Sequence, residues 1–245
     1  MIQRPSILVS DAHLGAVPLA AQKAFGEFLE SVPDLSDDLI INGDLFDFWF
    51  EYRRVILREH FRVLCRLAEL VDGGVRIRLV GGNHDAWGGS FLSEEIGIEL
   101  VRGPCHIQLG GRRAYLAHGD GLAGGDWGYR VLKRTIRSQV GSALFRLIHP
   151  DLGRPIASLF SATAARELRG PGVKSARAIR LSEHAAQLLR SDPTLDLVVF
   201  GHTHWPELSE VEPGRYYLNP GDWVHHFTYG VVSPSEVLLK RWTLD

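Results

Sequence analysis

Ser6-Ile7-Leu8-Val9-Ser10-Asp11-Ala12-His13 runs from an apolar stretch straight into an aspartate and a histidine one residue apart. A short apolar run bounded by polar residues reads as a buried strand. The pattern returns at Leu39-Ile40-Ile41-Asn42, Ile77-Arg78-Leu79-Val80, Ala114-Tyr115-Leu116-Ala117 and Leu195-Asp196-Leu197-Val198-Val199-Phe200. Residues of one chemical kind follow each run: Gly43-Asp44, Gly82-Asn83-His84-Asp85, His118-Gly119-Asp120 and Gly201-His202-Thr203-His204. In an α/β sheet, strand ends gather side chains from distant parts of the chain at one edge. A lone Asp-x-His or Gly-Asp pair is an ordinary turn or cap, so the shared position after a strand carries the argument.

Helical patterns fill the spaces between the first strands. One spans Pro18 to about Val32, with proline suited to a first turn. Another spans Val55 to Val71, with Val55, Phe61, Leu64, Leu67 and Val71 on one stripe and a stop at Gly73-Gly74. From Glu207 onward the pattern becomes short strands: Glu207 to Val211, Tyr216 to Leu218, Phe227 to Val232 and Val237 to Trp242. Pro213-Gly214, Asn219-Pro220-Gly221 and Ser233-Pro234 break them, which predicts antiparallel sheet. The expected architecture is two sheets with helices outside, in one domain over 1–245.

A chain of 245 residues with 45% apolar content can bury a full core, and its net charge of -2 exerts no global pull on nucleic acid or membrane. Cys65 and Cys105 form no CxxC pair, which argues against a disulfide framework or a thiolate zinc site. With neither a signal-peptide pattern after Met1 nor a long apolar run, a cytoplasmic address is expected.

The segment 127–180 stands apart. It is helical by pattern and holds eleven basic residues against Asp151 and Glu167, leaving the remainder strongly acidic. Arg130, Lys133, Arg134 and Arg137 share one helix face, beside an apolar stripe of Leu132, Ile136 and Val140. This reads as a basic amphipathic cap inserted into an acidic domain, suited to an anionic ligand or to the surface of the inner membrane.

Asp, His and Asn offer oxygen and imidazole donors suited to Mn, Fe, Zn or Mg, and the set contains no thiolate of the kind structural zinc favours. Two cations about 3.5–4 Å apart need a bridging ligand, and a carboxylate has two oxygens to serve as one. Asp44 is the candidate bridge.

In the order DxH, GD, GNHD, HGD, GHTH, these motifs resemble the calcineurin-like metallophosphoesterase superfamily over nearly the whole chain. The resemblance implies an α/β fold, a four-layer sandwich of two mixed β-sheets flanked by helices, with two divalent metal ions. It assigns one metal to Asp11, His13, Asp44 and His204, and the other to Asp44, Asn83, His118 and His202. It further implies that activated water attacks phosphorus, that His84 protonates the leaving oxygen or holds the phosphate, and that Asp85 orients His84.

Gly43-Asp44-Leu45-Phe46-Asp47-Phe48-Trp49, followed by His118-Gly119-Asp120-Gly121 with Asp126 and Tyr129 opening the basic segment, is similar to the UDP-2,3-diacylglucosamine pyrophosphatases of lipid A synthesis. That likeness implies hydrolysis of an acylated UDP-sugar to UMP and 2,3-diacylglucosamine 1-phosphate, with manganese. It places Asp126, Tyr129, Arg130 and Lys174 against substrate. Apolar cap residues such as Leu144, Phe145, Leu159 and Phe160 suit an acyl groove. Two departures stand out. Many of those enzymes carry arginine at the position of His84, and Pro171-Gly172-Val173 replaces polar residues before Lys174.

A broader phosphodiesterase or a nuclease is the alternative, since a basic cap can track a phosphate backbone. Nucleic acid is disfavoured because Trp127, Tyr129, Phe145 and Phe160 form no interleaved stacking series. A scaffold that has lost its metals is more distant, because every ligand position is filled by a competent residue.

Overall fold

Alternation along each strand decides how the layers stack. In β1 (Ser6–Val9) Ile7 and Val9 join one apolar cluster and Leu8 another; in β2 (Asp38–Ile41) Leu39 and Ile41 oppose Ile40 in the same way. Successive side chains of a strand leave on opposite faces, so a strand apolar on both must be covered on both. In the computed structural model, which describes residues 4–52, 54–81, 90–101, 103–122, 149 and 174–243, this condition is met by four layers.

The first sheet has six strands in the order β11-β10-β1-β2-β3-β4, comprising β3 (Arg76–Val80), β4 (Glu99–Val101), β10 (Thr228–Val232) and β11 (Val237–Arg241) besides the two above. β1 to β4 run parallel, joined through α1 (Leu19–Leu35), α2 (Phe61–Asp72) and the short α3 (Phe91–Glu94). Phe25, Phe28 and Leu29 of α1 and Leu64 and Leu67 of α2 cover one face of this sheet. The second sheet has five strands in the order β5-β6-β7-β9-β8, with β5 (Cys105–Leu109), β6 (Arg112–Leu116), β7 (Leu197–Val199), β8 (Glu207–Glu212) and β9 (Arg215–Asn219). Leu8, Ile40 and Val80 of the first sheet meet Leu116, Val199 and Leu218 of the second in a shared core. Outside the second sheet lies α4 (Ala176–Ser191), which buries Ala178 and packs Leu181, Ala185 and Leu189 against Val198, Phe200 and Tyr217.

Three expectations change. The helix read as starting at Val55 begins as a 3-10 turn at Arg58–His60 and continues as α2 from Phe61. Val55 and Phe61, placed on the buried stripe, are 51% and 58% exposed. The buried place is taken by His60, whose ring packs 4.5 Å from Phe46 and whose Nε2 lies 3.3 Å from the Phe48 carbonyl oxygen. The C-terminal strands do form antiparallel hairpins, but in different sheets: β8–β9 in the second, β10–β11 in the first. β9 also runs parallel to β7, so the second sheet is mixed. Finally, residues 176–180, read as the end of the basic cap, are the first turns of α4, with Ser175 Oγ accepting from the Ala178 amide at 3.1 Å as its N-cap. Residues 127–148 and 150–173, the body of that segment, lie outside the described residues. Both cysteines are free.

Candidate metal centre

β1 and β2 run parallel and end side by side, so the turns that follow them lie together. The Asp11 amide donates to the Gly43 carbonyl at 3.1 Å and the His13 amide to the Asp44 carbonyl at 3.0 Å. These bonds hold an uncommon backbone. Asp11, His13, Asp44, His202 and His204 have φ of 53°, 44°, 52°, 65° and 58°, all left-handed. For residues other than glycine that conformation costs about 1–3 kcal/mol each and persists only where surrounding structure imposes it. At β7 the turn closes on the first one through Gly201. A Cβ there would sit 2.1 Å from Ser10 Oγ and 2.8 Å from Asp11 Oδ2, so only glycine lets the two turns meet.

This convergence brings six predicted ligands into two groups. Asp11, His13 and His204 each place a donor atom within 4.8 Å of the others, and so do Asp44, His118 and His202. The rings of His13 and His204 stack at 4.9 Å. Asp11 also approaches His118, 4.0 Å from Oδ1 to Nε2, so the groups adjoin. Asn83, His84 and Asp85, and Asp126, Tyr129 and Arg130, lie outside the described residues. Lys174 is described and half-buried; its Nζ pairs with Glu207 at 2.7 Å and donates to Ser182 Oγ at 3.2 Å.

Asp11 Oδ2 accepts from the Ser10 hydroxyl and, at 3.0 Å, from the His202 amide. Its other oxygen, Oδ1, is buried and has no hydrogen-bond partner among the described residues, yet Nε2 atoms of His204 and His13 lie 3.6 and 3.8 Å away. An orphaned carboxylate oxygen surrounded by imidazole nitrogens at ion-pair distance is the arrangement a cation completes. The donor set therefore fits divalent metals.

The protonation of the histidines shows the same demand for positive charge. Burial pulls His118 and His204 down, but the neighbouring carboxylates outweigh it: Asp44 and Asp11 push His118 up to about 9, and Asp11 with Asp222 pushes His204 up to about 9. His202, buried beside the charged His118, is pushed down to about 3. Asp11, despite its burial, is held below the usual carboxylate range by His204, His13 and His118.

The second nitrogen of each of three histidines faces an oxygen acceptor. His118 Nδ1 lies 2.9 Å from the Asn42 carbonyl oxygen, leaving Nε2 aimed at Asp44, 3.0 Å from Oδ2. His13 Nδ1 lies 4.0 Å from Asp47. His204 Nδ1 lies 3.3 Å from Asp222 Oδ2, which is equally close to His226 Nδ1. Asp222 is fully buried, and its Oδ1 accepts backbone N–H bonds from Val224, His225 and His226 at 2.8–3.1 Å. Such partners set the tautomer and aim of a ligating imidazole. The sequence reading missed Asp222, although Gly221-Asp222 after β9 repeats the Gly43-Asp44 signal at another strand end. Trp223, next in chain to Asp222, packs against Phe25 and Phe28, with ring centroids 5.0 and 4.6 Å apart.

Residues 5–206 match a family model described as calcineurin-like phosphoesterase. The chain is 30% identical to the UDP-2,3-diacylglucosamine hydrolase of Porphyromonas gingivalis, with 94% of this chain and 95% of that protein covered. It is 29% identical to the UDP-2,3-diacylglucosamine hydrolase of Aeromonas salmonicida, covering 98% and 94%. Among solved structures, Yfce, a phosphoesterase from E. coli, aligns at 16% identity and a TM-score of 0.46, covering 98% of this chain and 93% of that one.

Proposed function

Because the chain belongs to the calcineurin-like phosphoesterase family, we propose that it hydrolyses the diphosphate of UDP-2,3-diacylglucosamine to UMP and 2,3-diacylglucosamine 1-phosphate. It is a metal-dependent hydrolase of phosphoric esters or anhydrides. The observation that carries the chemistry is the pair of donor clusters, Asp11, His13, His204 and Asp44, His118, His202, at adjoining strand ends. Relatives named for UDP-2,3-diacylglucosamine hydrolysis, similar over nearly the full chain, support the substrate.

When bound, two divalent cations, manganese in this reading, would supply an activated water and offset negative charge at phosphorus. Asp11, His13 and His204 would hold one, His118, His202 and Asn83 the other, with Asp44 available to both. Asp11 keeps its charge for this role because the histidines beside it hold it ionised. In the reaction the oxygen of water joins one phosphorus, the bridging P–O bond breaks, and the departing oxygen is protonated or its phosphate held by His84, which Asp85 orients. Asp126, Tyr129, Arg130 and Lys174 contact the substrate, Lys174 by exchanging Glu207 for a phosphate oxygen. Apolar residues of the basic segment accept the acyl chains, and the enzyme works in the cytoplasm at the inner-membrane surface. No helix among the described residues is long and apolar enough to cross a membrane.

Manganese-loaded protein offered UDP-2,3-diacylglucosamine, UDP-glucosamine, a chromogenic phosphodiester and single-stranded DNA side by side tests this directly. Turnover strongly favouring the acylated substrate is expected, with slower cleavage of the phosphodiester. Equal turnover of all four would sink the lipid assignment while leaving the hydrolase. His84→Ala is expected to lower turnover by about 10²–10⁴-fold while two metals stay bound; unchanged turnover would remove His84 from the mechanism.

A further inference from the structure

Val55 and Phe61 fit an amphipathic stripe by spacing, yet they are 51% and 58% exposed. Single exposed apolar side chains are ordinary on any protein. These two stand among the exposed Arg54, Arg58 and Arg62, none of which makes an ion pair among the described residues. Residues 54–62 contain one acid, Glu59. On α2 and the turn before it, Arg58, Phe61 and Arg62 follow i, i+3, i+4 spacing and face outward, while Leu64, Leu67 and Leu70 face the sheet.

The patch also has a definite place relative to the metal centre. His60, next in chain to Phe61, packs on Phe46 at 4.5 Å and approaches the Phe48 carbonyl, both in the loop that begins at Asp44. Gly15, two residues after His13, lies so close that a Cβ there would be 3.1 Å from the His60 ring. Phe46 in turn bridges Leu14. The patch therefore borders the edge of the fold that carries the ligands.

We propose that residues 54–62 form a docking surface for an anionic lipid bilayer, with Val55 and Phe61 entering the headgroup boundary and Arg54, Arg58 and Arg62 meeting lipid phosphates. Exposed apolar side chains interleaved with arginines suit a bilayer, where both kinds of group find partners at one depth. A nucleic-acid backbone leaves the apolar ones exposed to water. The segment 127–180, with its net charge of +9, is electrostatically a poor cover for three arginines. The purpose of such a surface rests on the proposed acylated substrate, since docking there presents the metal edge to a lipid held in the bilayer.

The test is co-sedimentation of full-length protein with vesicles of equimolar phosphatidylglycerol and phosphatidylcholine, compared with vesicles of phosphatidylcholine alone. Binding to the anionic vesicles is expected, weakening as salt rises. Arg58→Glu with Arg62→Glu should lower partitioning at least roughly twentyfold, at about fivefold per charge near the surface. Val55→Ser with Phe61→Ser should lower it several-fold. These side chains are exposed, so melting temperature and turnover of a soluble chromogenic phosphodiester should not move in either variant. Failure of the wild type to bind, equal binding by both variants, or a change of oligomeric mass on substitution without lipid would each overturn the proposal. Vesicle binding is read without substrate, so its failure leaves hydrolysis of the acylated sugar standing, and failure of that hydrolysis leaves the lipid measurement intact.

Discussion

At the scale of single residues, the candidate centre is a set of carboxylates that need positive charge. His118 and His204, each pushed up to about 9 from 6.5, supply it as protons in the metal-free chain. Because their folded values lie above the unfolded ones, the stability they contribute is complete below about pH 6.5 and is lost as pH rises through about 9. Bound metal must displace the same protons, so apparent metal affinity rises over this window and levels above it. The gap in melting temperature between manganese-loaded and chelated protein should therefore widen from pH 6.5 to 9, whereas a constant gap would contradict the assignment. His202, pushed down to about 3, is already neutral there and adds nothing to the slope. Asp222 acts on one cluster only. Asp222→Asn keeps an acceptor for the three backbone amides but loses the charge facing His204, so a manganese titration should show one site weakened about 10- to 100-fold and the other retained. Equal weakening of both sites would mark Asp222 as a general structural residue.

At the scale of elements, strand ends and helix caps carry the consequences. Gly201 is the point where the turn after β7 meets the turn after β1, and Gly201→Ala drives a methyl group into Ser10 and Asp11. The backbone must then separate the two turns, so lower metal content and a lower melting temperature are expected together. A loss of stability with full metal content would show that the turns relax independently. Ser175→Ala removes the N-cap of α4, expected to cost about 1 kcal/mol in chemical denaturation. Strand existence was legible from short apolar runs because both faces of a central strand are buried and little else produces such a run. The start of α2 was not. Periodicity cannot distinguish Phe61 from His60 as the residue that turns inward, because the choice is made by Phe46 and the Phe48 carbonyl in another part of the chain.

At the scale of the whole molecule, the buried face of α4 limits how the basic segment can be removed. Leu181, Ala185 and Leu189 belong to the core against the second sheet and Ala178 is buried as well, so a shortened chain must keep everything from Lys174 onward. Replacing 127–173 with a short linker is expected to preserve cleavage of a soluble phosphodiester and abolish preference for the acylated substrate, measured as the ratio of the two turnover rates. Retained preference would move lipid selection off that segment. The sequence by itself determined the strand-and-helix alternation, the donor residues and their placement at strand ends, because side-chain chemistry and two-residue periodicity are local properties. Only the tertiary structure decided that the two C-terminal hairpins separate into different sheets and that Asp222 stands behind His204. Those outcomes depend on which surfaces meet across hundreds of residues of chain, and packing fixes them through contacts such as Gly201 against Ser10, which neither partner's local sequence specifies.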